Sequence, residues 1–237
     1  LMGGERKAVL LGNAAAHASN ASSLLALANW IAEQTGASVG YLTEAANTVG
    51  AQWVGAQPQT GGKHAGQMLA GGLKAAILLN TEPEFDSAAG AAAAKTLGQA
   101  EMVVTLSPFK ANMAFSDVLL PIAPFTETSG SFVNAEGRLQ SFHAVVKPLA
   151  ETRPAWKVLR VLANLLEIPG VAFETSQDVL ARATAKPMAA SNATRAAITL
   201  TATATAPVSA SIYQLDGIVR RAPSLQLTAD ARQEVTA

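Results

Sequence analysis

The stretch from Asp117 to Gln140 reads DVLLPIAPFTETSGSFVNAEGRLQ and joins a short apolar run to a polar segment. Val118–Leu120 predicts a buried strand that ends at Pro121, because proline fixes φ and has no amide donor for a sheet. We expect the polar segment, Thr126–Gln140, to be a loop. In open α/β sheets, ligands and partners bind at loops beyond the ends of buried strands. The stretch therefore predicts a candidate site.

Apolar runs separated by helical patterns precede this stretch. Between Leu24 and Ala32, apolar residues recur at helical spacing, which predicts a helix that ends at Gly36. A long loop is predicted for Thr43–Lys63. An alanine-rich helix, capped by Asp86 or Ser87, is expected to end near Gly98. The other predicted elements are strands at Ala8–Leu11, Val39–Leu42, Ala75–Leu79 and Glu101–Leu106, and a short helix at His64–Leu73. This order predicts an α/β fold with a doubly wound, mainly parallel sheet flanked by helices.

The C-terminal part of the sequence predicts closing elements and an irregular arm. An amphipathic helix begins near Thr152, which we expect to cap it, and Ser176–Ala185 predicts another short helix. Ala, Thr, Ser and Pro then dominate, which predicts a linker because such residues bury little apolar surface. Ile212–Arg221 again has a regular sequence pattern. We expect this segment to dock as a short element that ends in Arg220 and Arg221. The predicted domains are 1–185 (α/β domain), 186–211 (linker) and 212–237 (C-terminal arm).

Composition narrows the classes of function. The formal net charge of the 237 residues is zero, and no basic stripe is present, which argues against nucleic acid as a partner. Cysteine is absent, so these residues form no disulfide and hold no thiolate-bound iron–sulfur cluster. Lacking an apolar run of about 18 residues, the chain is not expected to insert directly into a membrane. The first residue is Leu1 rather than methionine, and we expect the sequence to be a fragment.

Common catalytic and nucleotide-binding motifs are missing. The turn after the first strand, LGNAAAHASN, lacks the glycine spacing of a dinucleotide site, and TGGK at residues 60–63 lacks the rest of a phosphate-binding loop. The three histidines are far apart in sequence, so no metal site is predicted. Glu127 and Glu136 could form an acid/base pair, but Arg138 also offers Glu136 an ion-pair partner. We favour the ion pair.

The central stretch carries a family resemblance. Its pattern, Asp-x-x-Leu-Pro followed by Glu-Thr-x-Gly-x-Phe-x-Asn-x-Glu-Gly-Arg-x-Gln, resembles the molybdopterin oxidoreductase superfamily. Within that superfamily, the continuation SFHAVVKPLAETRPAWKVLRVLANLL (residues 141–166) is similar to the G-type subunit of bacterial NADH:quinone oxidoreductase, respiratory complex I. IYQLDGIVRRAP at residues 212–223 extends the resemblance.

The resemblance implies a set of site residues. In molybdopterin enzymes the central loop lies against the pterin, whereas the family of G-type subunits is understood to keep the fold without the cofactor. The implied vestigial pocket comprises Glu127, Thr128, Gly130, Asn134, Glu136, Gly137 and Arg138. The loop after Leu79 resembles the place that binds the nucleotide half of the cofactor, which adds Asn80 and Glu82. Capping or turn formation is the alternative for these last two residues.

The resemblance also implies a function. The chain would be a structural and assembly part of a proton-pumping NADH:quinone oxidoreductase, non-catalytic by itself, with no cofactor or metal of its own. Iron–sulfur clusters are expected in an upstream part of the same polypeptide and FMN in a partner subunit. The implied partners are the other peripheral-arm subunits, on the cytoplasmic face of the bacterial inner membrane. Alternatives are a molybdopterin-dependent oxidoreductase resembling formate dehydrogenase, and a nucleotide-binding domain that uses the turns at Gly12 or Gly62.

Overall fold

A computed structural model describes residues 3–188 and 211–233. The chain divides into two units. The described residues of the first unit lie within Leu1–Val54, Phe132–Leu139 and Pro187–Ala210. Those of the second unit lie within Gly55–Ser131, Gln140–Lys186 and Ser211–Ala237. Most of the predicted linker, residues 189–210, falls outside the described residues.

The first unit is built on two parallel strands with helices between them. Its elements are β1 (Ala8–Leu11), α1 (Asn13–Ala16), α2 (Ala21–Thr35), β2 (Ser38–Tyr41) and α3 (Thr48–Trp53). The strands pair in register, with Ala8 opposite Ser38 and Leu11 opposite Tyr41. Gly36 ends α2 with a φ of 69°, a left-handed conformation that glycine adopts at little cost. The predicted order of strand, helix and strand is confirmed.

The prediction of an unbroken loop over Thr43–Lys63 is wrong, because α3 lies within it. No apolar stripe marks this helix, and the residue before it, Asn47, does not cap it with its side chain. Instead the Asn47 Oδ1 atom accepts the Val133 amide at 2.8 Å, a contact between residues 86 positions apart. The helix is therefore fixed by a long-range contact that local sequence does not display.

The second unit contains a three-stranded parallel sheet in the order β3-β4-β5. The strands are β3 (Ala75–Leu79), β4 (Met102–Ser107) and β5 (Val118–Pro121). Leu79 lies opposite Leu106, and Pro121 ends the edge strand opposite Ser107, where its missing amide donor costs little. These parallel sheets with flanking helices confirm the predicted α/β class.

Short helices surround this sheet. They are α4 (Ala65–Leu69), α5 (Pro83–Asp86), α6 (Ala91–Leu97), α7 (Ala155–Leu165), α8 (Ser176–Ala183), α9 (Ile212–Leu215), α10 (Pro223–Gln226) and α11 (Ala229–Gln233), with 3-10 turns at Phe125–Glu127 and Val219–Arg221. Buried Leu78, Leu97 and Val103 form a hydrophobic cluster against which Leu69 and Phe115 pack. In the described part of the chain, no helix has both the length and the apolar character needed to cross a membrane.

Two predicted helix caps are wrong. Helix α6 begins after Gly90 and has no side-chain cap. The Asp86 carboxylate instead accepts the Glu82 amide at 2.6 Å. Helix α7 follows Pro154, while the Thr152 hydroxyl donates to the carbonyl of Leu149 at 2.6 Å. In both cases the predicted capping side chain is used by a neighbouring turn.

The prediction of a continuous loop from Thr126 to Gln140 is also wrong. The segment contains β6 (Gly130–Val133) and the start of β7 (Leu139–Phe142), which pair with each other. So short a connection requires the two strands to be antiparallel. The hairpin passes from the second unit into the first and back again. A turn rich in polar residues thus closes a hairpin here, an outcome that the polar composition did not distinguish from a loop.

Candidate functional site

The loop at the carboxyl end of β3 is held by a partly buried polar network. Asn80, with a φ of 48°, donates its amide to the carbonyl of Leu106 at 2.8 Å. The side-chain amide of Asn112 donates to the carbonyl of Thr81 at 2.9 Å and to the hydroxyl of Thr105 at 3.3 Å. Thr105 is fully buried. Because each of these polar groups has a partner, the loop is fixed in place ahead of Glu82.

Glu82 is bound by two arginines from the C-terminal part of the chain. The guanidinium of Arg221 donates from Nη1 to Oε1 of Glu82 at 2.7 Å and from Nη2 to Oε2 at 2.9 Å. Nη2 of Arg220 donates to Oε1 at 2.9 Å. Two parallel bonds from one guanidinium to one carboxylate form the strongest common side-chain ion pair in proteins. Both oxygens of Glu82 are therefore occupied by groups of the same chain.

Asp86 and two aromatic rings complete this arrangement. Oδ1 of Asp86 accepts from Nη1 of Arg220 at 3.3 Å. The guanidinium of Arg220 lies 4.6 Å from the centre of the Phe85 ring, and that of Arg221 lies 4.2 Å from the centre of the Phe109 ring. Each ring face attracts the positive charge above it. We call this group the arginine cluster; its members are Glu82, Phe85, Asp86, Phe109, Arg220 and Arg221.

Two members of the cluster, Glu82 and Arg220, are largely shielded from water. The side chains of Glu82 and Arg220 are only 13% and 14% exposed. Burial alone would raise the pKa of Glu82, but the hydrogen bonds and positive charges of Arg221 and Arg220 outweigh it and hold that pKa below its ordinary value of 4.5. Glu82 is therefore a carboxylate that the folded chain keeps ionised.

This lowered pKa predicts a loss of stability in acid. A group whose pKa is lower in the folded than in the unfolded state stabilises the fold above pH 4.5 and loses that contribution as the pH falls through the folded value. Urea unfolding from pH 7 to pH 3 should show Glu82→Gln less stable than the wild type at neutral pH, with the gap closing in acid. Glu84→Gln, two residues further along the chain and exposed, should follow the wild-type profile. A constant gap at every pH would contradict the expectation.

Three of the predicted pocket residues lie where the second unit leads into β6. Oε2 of Glu127 accepts the amide of Leu149 at 2.9 Å, which ties the 3-10 turn to the segment before α7. The hydroxyl of Thr128 donates to the carbonyl of Ser129 at 3.2 Å. A Cβ atom at Gly130 would lie 2.6 Å from Cζ of Phe142. A side chain at position 130 would therefore displace this ring.

A groove with a volume of about 460 Å³ opens beside these residues. Gly130 contributes to its wall together with hydroxyl, imidazole and aromatic groups. The lining residues are Ser129, Gly130, Ser131, Ser141, Phe142, His143, Trp156, Ser176, Gln177, Val179, Leu180 and Ala183. The carboxylates of Glu82 and Glu127 are not among them. The groove thus has hydrogen-bonding groups but no charge from the predicted site carboxylates.

The other four predicted pocket residues belong to the first unit and form the hairpin turn. Oδ1 of Asn134 accepts the amides of Glu136 and Arg138 at 3.0 and 2.9 Å. Gly137 has a φ of 82°, and a Cβ atom there would lie 2.8 Å from Cε of Met188. In the described part of the chain, no ion pair joins Glu136 to Arg138, so that prediction is wrong. The turn instead depends on the Asn134 side chain.

The predicted positions therefore fall into two units. Asn80, Glu82, Glu127, Thr128 and Gly130 belong to the second unit, and Asn134, Glu136, Gly137 and Arg138 to the first. Sequence reasoning did not assign the partners of Glu82. Arg220 and Arg221 were noted only as a pair at the end of a docking element, and Phe85 and Phe109 received no role.

In the observed arrangement, several of these residues bond to groups of the same chain. A nucleotide at Glu82 would need its carboxylate, but both oxygens are held by arginines. Oδ1 of Asn134 and one oxygen of Glu127, Oε2, likewise accept backbone amides of the chain. Within residues 3–188 and 211–233, no group of three His, Cys, Asp or Glu side chains is arranged to hold a metal ion. The contacts of Glu82, Glu127 and Asn134 order the loops in which these residues lie.

Parallel strands flanked by helices, with polar loops at the carboxyl ends of the strands, are typical of oxidoreductases that bind large cofactors. The family model described as Molybdopterin oxidoreductase matches residues 4–165, which is more than half of the chain. The chain therefore belongs to the molybdopterin oxidoreductase family.

Individual relatives match shorter stretches. A putative formate dehydrogenase of Staphylococcus aureus (strain bovine RF122 / ET3-1) is 44% identical over 52 residues, covering 22% of this chain and 5% of that protein. The probable oxidoreductase YjgC of Bacillus subtilis is 38% identical over 69 residues, covering 29% and 7%. The mitochondrial NADH-ubiquinone oxidoreductase 78 kDa subunit of Candida albicans is 43% identical over 53 residues, covering 22% and 7%. The chain thus spans a small part of the length of each of these relatives.

Proposed function

We propose that this chain is a structural and assembly part of the G-type subunit of a bacterial proton-pumping NADH:quinone oxidoreductase. Electrons from NADH would pass through FMN and iron–sulfur clusters held elsewhere in the complex. The observation that carries the proposal is the use of the Glu82 carboxylate by Arg220 and Arg221 of the same chain. The similarity to the Candida albicans 78 kDa subunit supports the choice of complex.

The chemistry of the candidate residues favours a role in holding the fold. A cofactor-binding carboxylate or amide must offer free acceptor or donor atoms to its ligand. Glu82, Glu127 and Asn134 instead accept hydrogen bonds from this chain's own groups. Such residues order loops on which other subunits can pack.

The proposed partners are the other peripheral-arm subunits, on the cytoplasmic face of the bacterial inner membrane. Charged residues make up 14% of the chain, against about 25% in typical soluble domains. A low density of charge suits a surface that neighbouring subunits cover. We propose no direct insertion into the membrane and no nucleic-acid partner for this chain.

Affinity purification of the native protein from its own cells tests the proposal. A tag on the chromosomal copy, with mild detergent extraction, should recover a multisubunit particle that oxidises NADH and reduces a quinone. The same preparation should not oxidise formate. Recovery of a particle that oxidises formate, without NADH oxidation, would overturn the proposal.

A second candidate function is that of a molybdopterin-dependent, formate dehydrogenase-like oxidoreductase. The 44% identity to a putative formate dehydrogenase over 52 residues favours it. This alternative requires Glu82 to be released from Arg220 and Arg221 when the cofactor binds. Bound molybdenum or tungsten in the purified protein would distinguish it from the first proposal.

A further inference from the structure

The C-terminal segment that supplies the two arginines is organised by its own hydrogen bonds. Oδ1 of Asp216 accepts the amides of Ile218 and Val219 at 2.9 and 2.8 Å. The side-chain amide of Gln226 donates to the carbonyls of Tyr213 and Val219 at 3.0 and 2.9 Å. Residues 211–227 are therefore internally bonded, and they present Arg220 and Arg221 on a 3-10 turn.

The surface that receives this segment is specific for adjacent guanidinium groups. Glu82 accepts both arginines, Asp86 accepts Arg220, and a phenylalanine ring lies against each guanidinium. A planar guanidinium can form two parallel bonds to a carboxylate and stack on a ring at the same time, which an ammonium group cannot do. Arg221 forms two such parallel bonds to Glu82, and Arg220 bonds to Glu82 and Asp86 with separate nitrogens, so we expect the surface to favour arginine over lysine.

We propose that Glu82, Phe85, Asp86 and Phe109 form a docking site for a peptide with two adjacent arginines, and that residues 211–227 occupy it as a strap from the same chain. The strap joins the rest of the chain through residues 189–210, in which Ala, Thr and Ser dominate. Recognition depends on the contacts of the arginine cluster and not on the covalent connection. The inference goes beyond the proposed function and does not depend on it.

Cleavage of the connection tests the proposal directly. A protease recognition site is inserted between Leu200 and Thr201 of the native protein, and the cleaved protein is passed through a gel-filtration column. We expect the C-terminal piece to remain bound to the wild-type protein at low salt. The Arg220→Ala/Arg221→Ala variant should lose it, whereas the Arg232→Ala variant, which changes an exposed arginine of α11, should retain it. Loss of the piece from the wild type, or equal retention in the double variant, would overturn the proposal.

A peptide exchange assay is a second test, and it does not require the Arg220→Ala/Arg221→Ala variant to fold. A labelled peptide with the sequence SIYQLDGIVRRAPSLQL, residues 211–227, is added to the cleaved wild-type protein. We expect it to exchange for the resident piece and to bind roughly tenfold or more tightly than the same peptide with both arginines replaced by lysine. Equal binding of the two peptides, or no exchange of either, would contradict recognition by the arginine cluster.

Discussion

Replacement of Leu106 by alanine should lower the free energy of unfolding of the second unit by about 3 kcal/mol, because deletion of a fully buried leucine side chain leaves a cavity. Leu106 has no exposed surface and lies in β4, the central strand of the three-stranded sheet. Urea unfolding followed by circular dichroism measures the change.

Leu79→Ala is the matched control for this substitution. Leu79 lies opposite Leu106 on the neighbouring strand, but 44% of it is exposed. The control should cost about 1 kcal/mol or less, since much of the side chain already contacts water. Equal losses in the two variants would mean that the burial of Leu106 does not determine the cost of its replacement.

Replacement of Glu82 by alanine should have a comparable effect, about 3 kcal/mol, because it leaves the mostly buried guanidinium of Arg220 and the partly exposed one of Arg221 without their carboxylate. Arg220 is only 14% exposed, so it gains little hydration in compensation. Hydrogen exchange should increase in residues 211–221, which these bonds hold to Glu82 and Asp86. Unfolding in urea and amide exchange measured by mass spectrometry together report both effects.

Glu84→Ala, which removes a carboxylate two residues after Glu82, is the control for this substitution. Glu84 is exposed, and its replacement should change stability by less than about 0.5 kcal/mol. If Glu82→Ala were as mild as Glu84→Ala, the arginine cluster would contribute nothing measurable to the fold. A double-mutant cycle between Glu82 and Arg221 would then show no coupling.

Hydrophobic patterning was sufficient to predict the strands of the two parallel sheets. Ala8–Leu11 and Ala75–Leu79 form strands with the predicted bounds, and β4 differs from its prediction by one residue at each end. Each of these strands is a short apolar run bounded by turn residues, so the sequence pattern that predicts it lies within neighbouring positions. Gly36 likewise marks the end of α2 because its left-handed conformation is a local requirement.

Elements fixed by distant contacts could not be predicted in this way. Helix α3 is fixed by the bond from Val133 to Asn47, and the β6–β7 hairpin closes on the Asn134 side chain. The caps assigned to Asp86 and Thr152 failed because turns beside those residues use the same side chains. In each case several local structures were open to the sequence, and a contact elsewhere selected one of them.

The same limit applies to the candidate site. Glu82 was singled out from the family resemblance, but its partners Arg220 and Arg221 lie 138 and 139 residues further along the chain. No periodicity or spacing connects positions so far apart. The predicted pairing of Glu136 with Arg138, by contrast, relied on proximity in sequence alone, and the turn geometry does not produce it.

Elemental analysis of the native protein, purified from its own cells, tests the central claim most directly. The claim is that this family member holds its candidate cofactor residues in contacts within the chain and serves as a structural part of an NADH-oxidising complex. We predict iron, from clusters elsewhere in the complex, without molybdenum or tungsten, in a preparation that oxidises NADH. Molybdenum or tungsten in a one-to-one ratio with the protein would contradict the account, because the residues that now bind each other would then have to bind a cofactor.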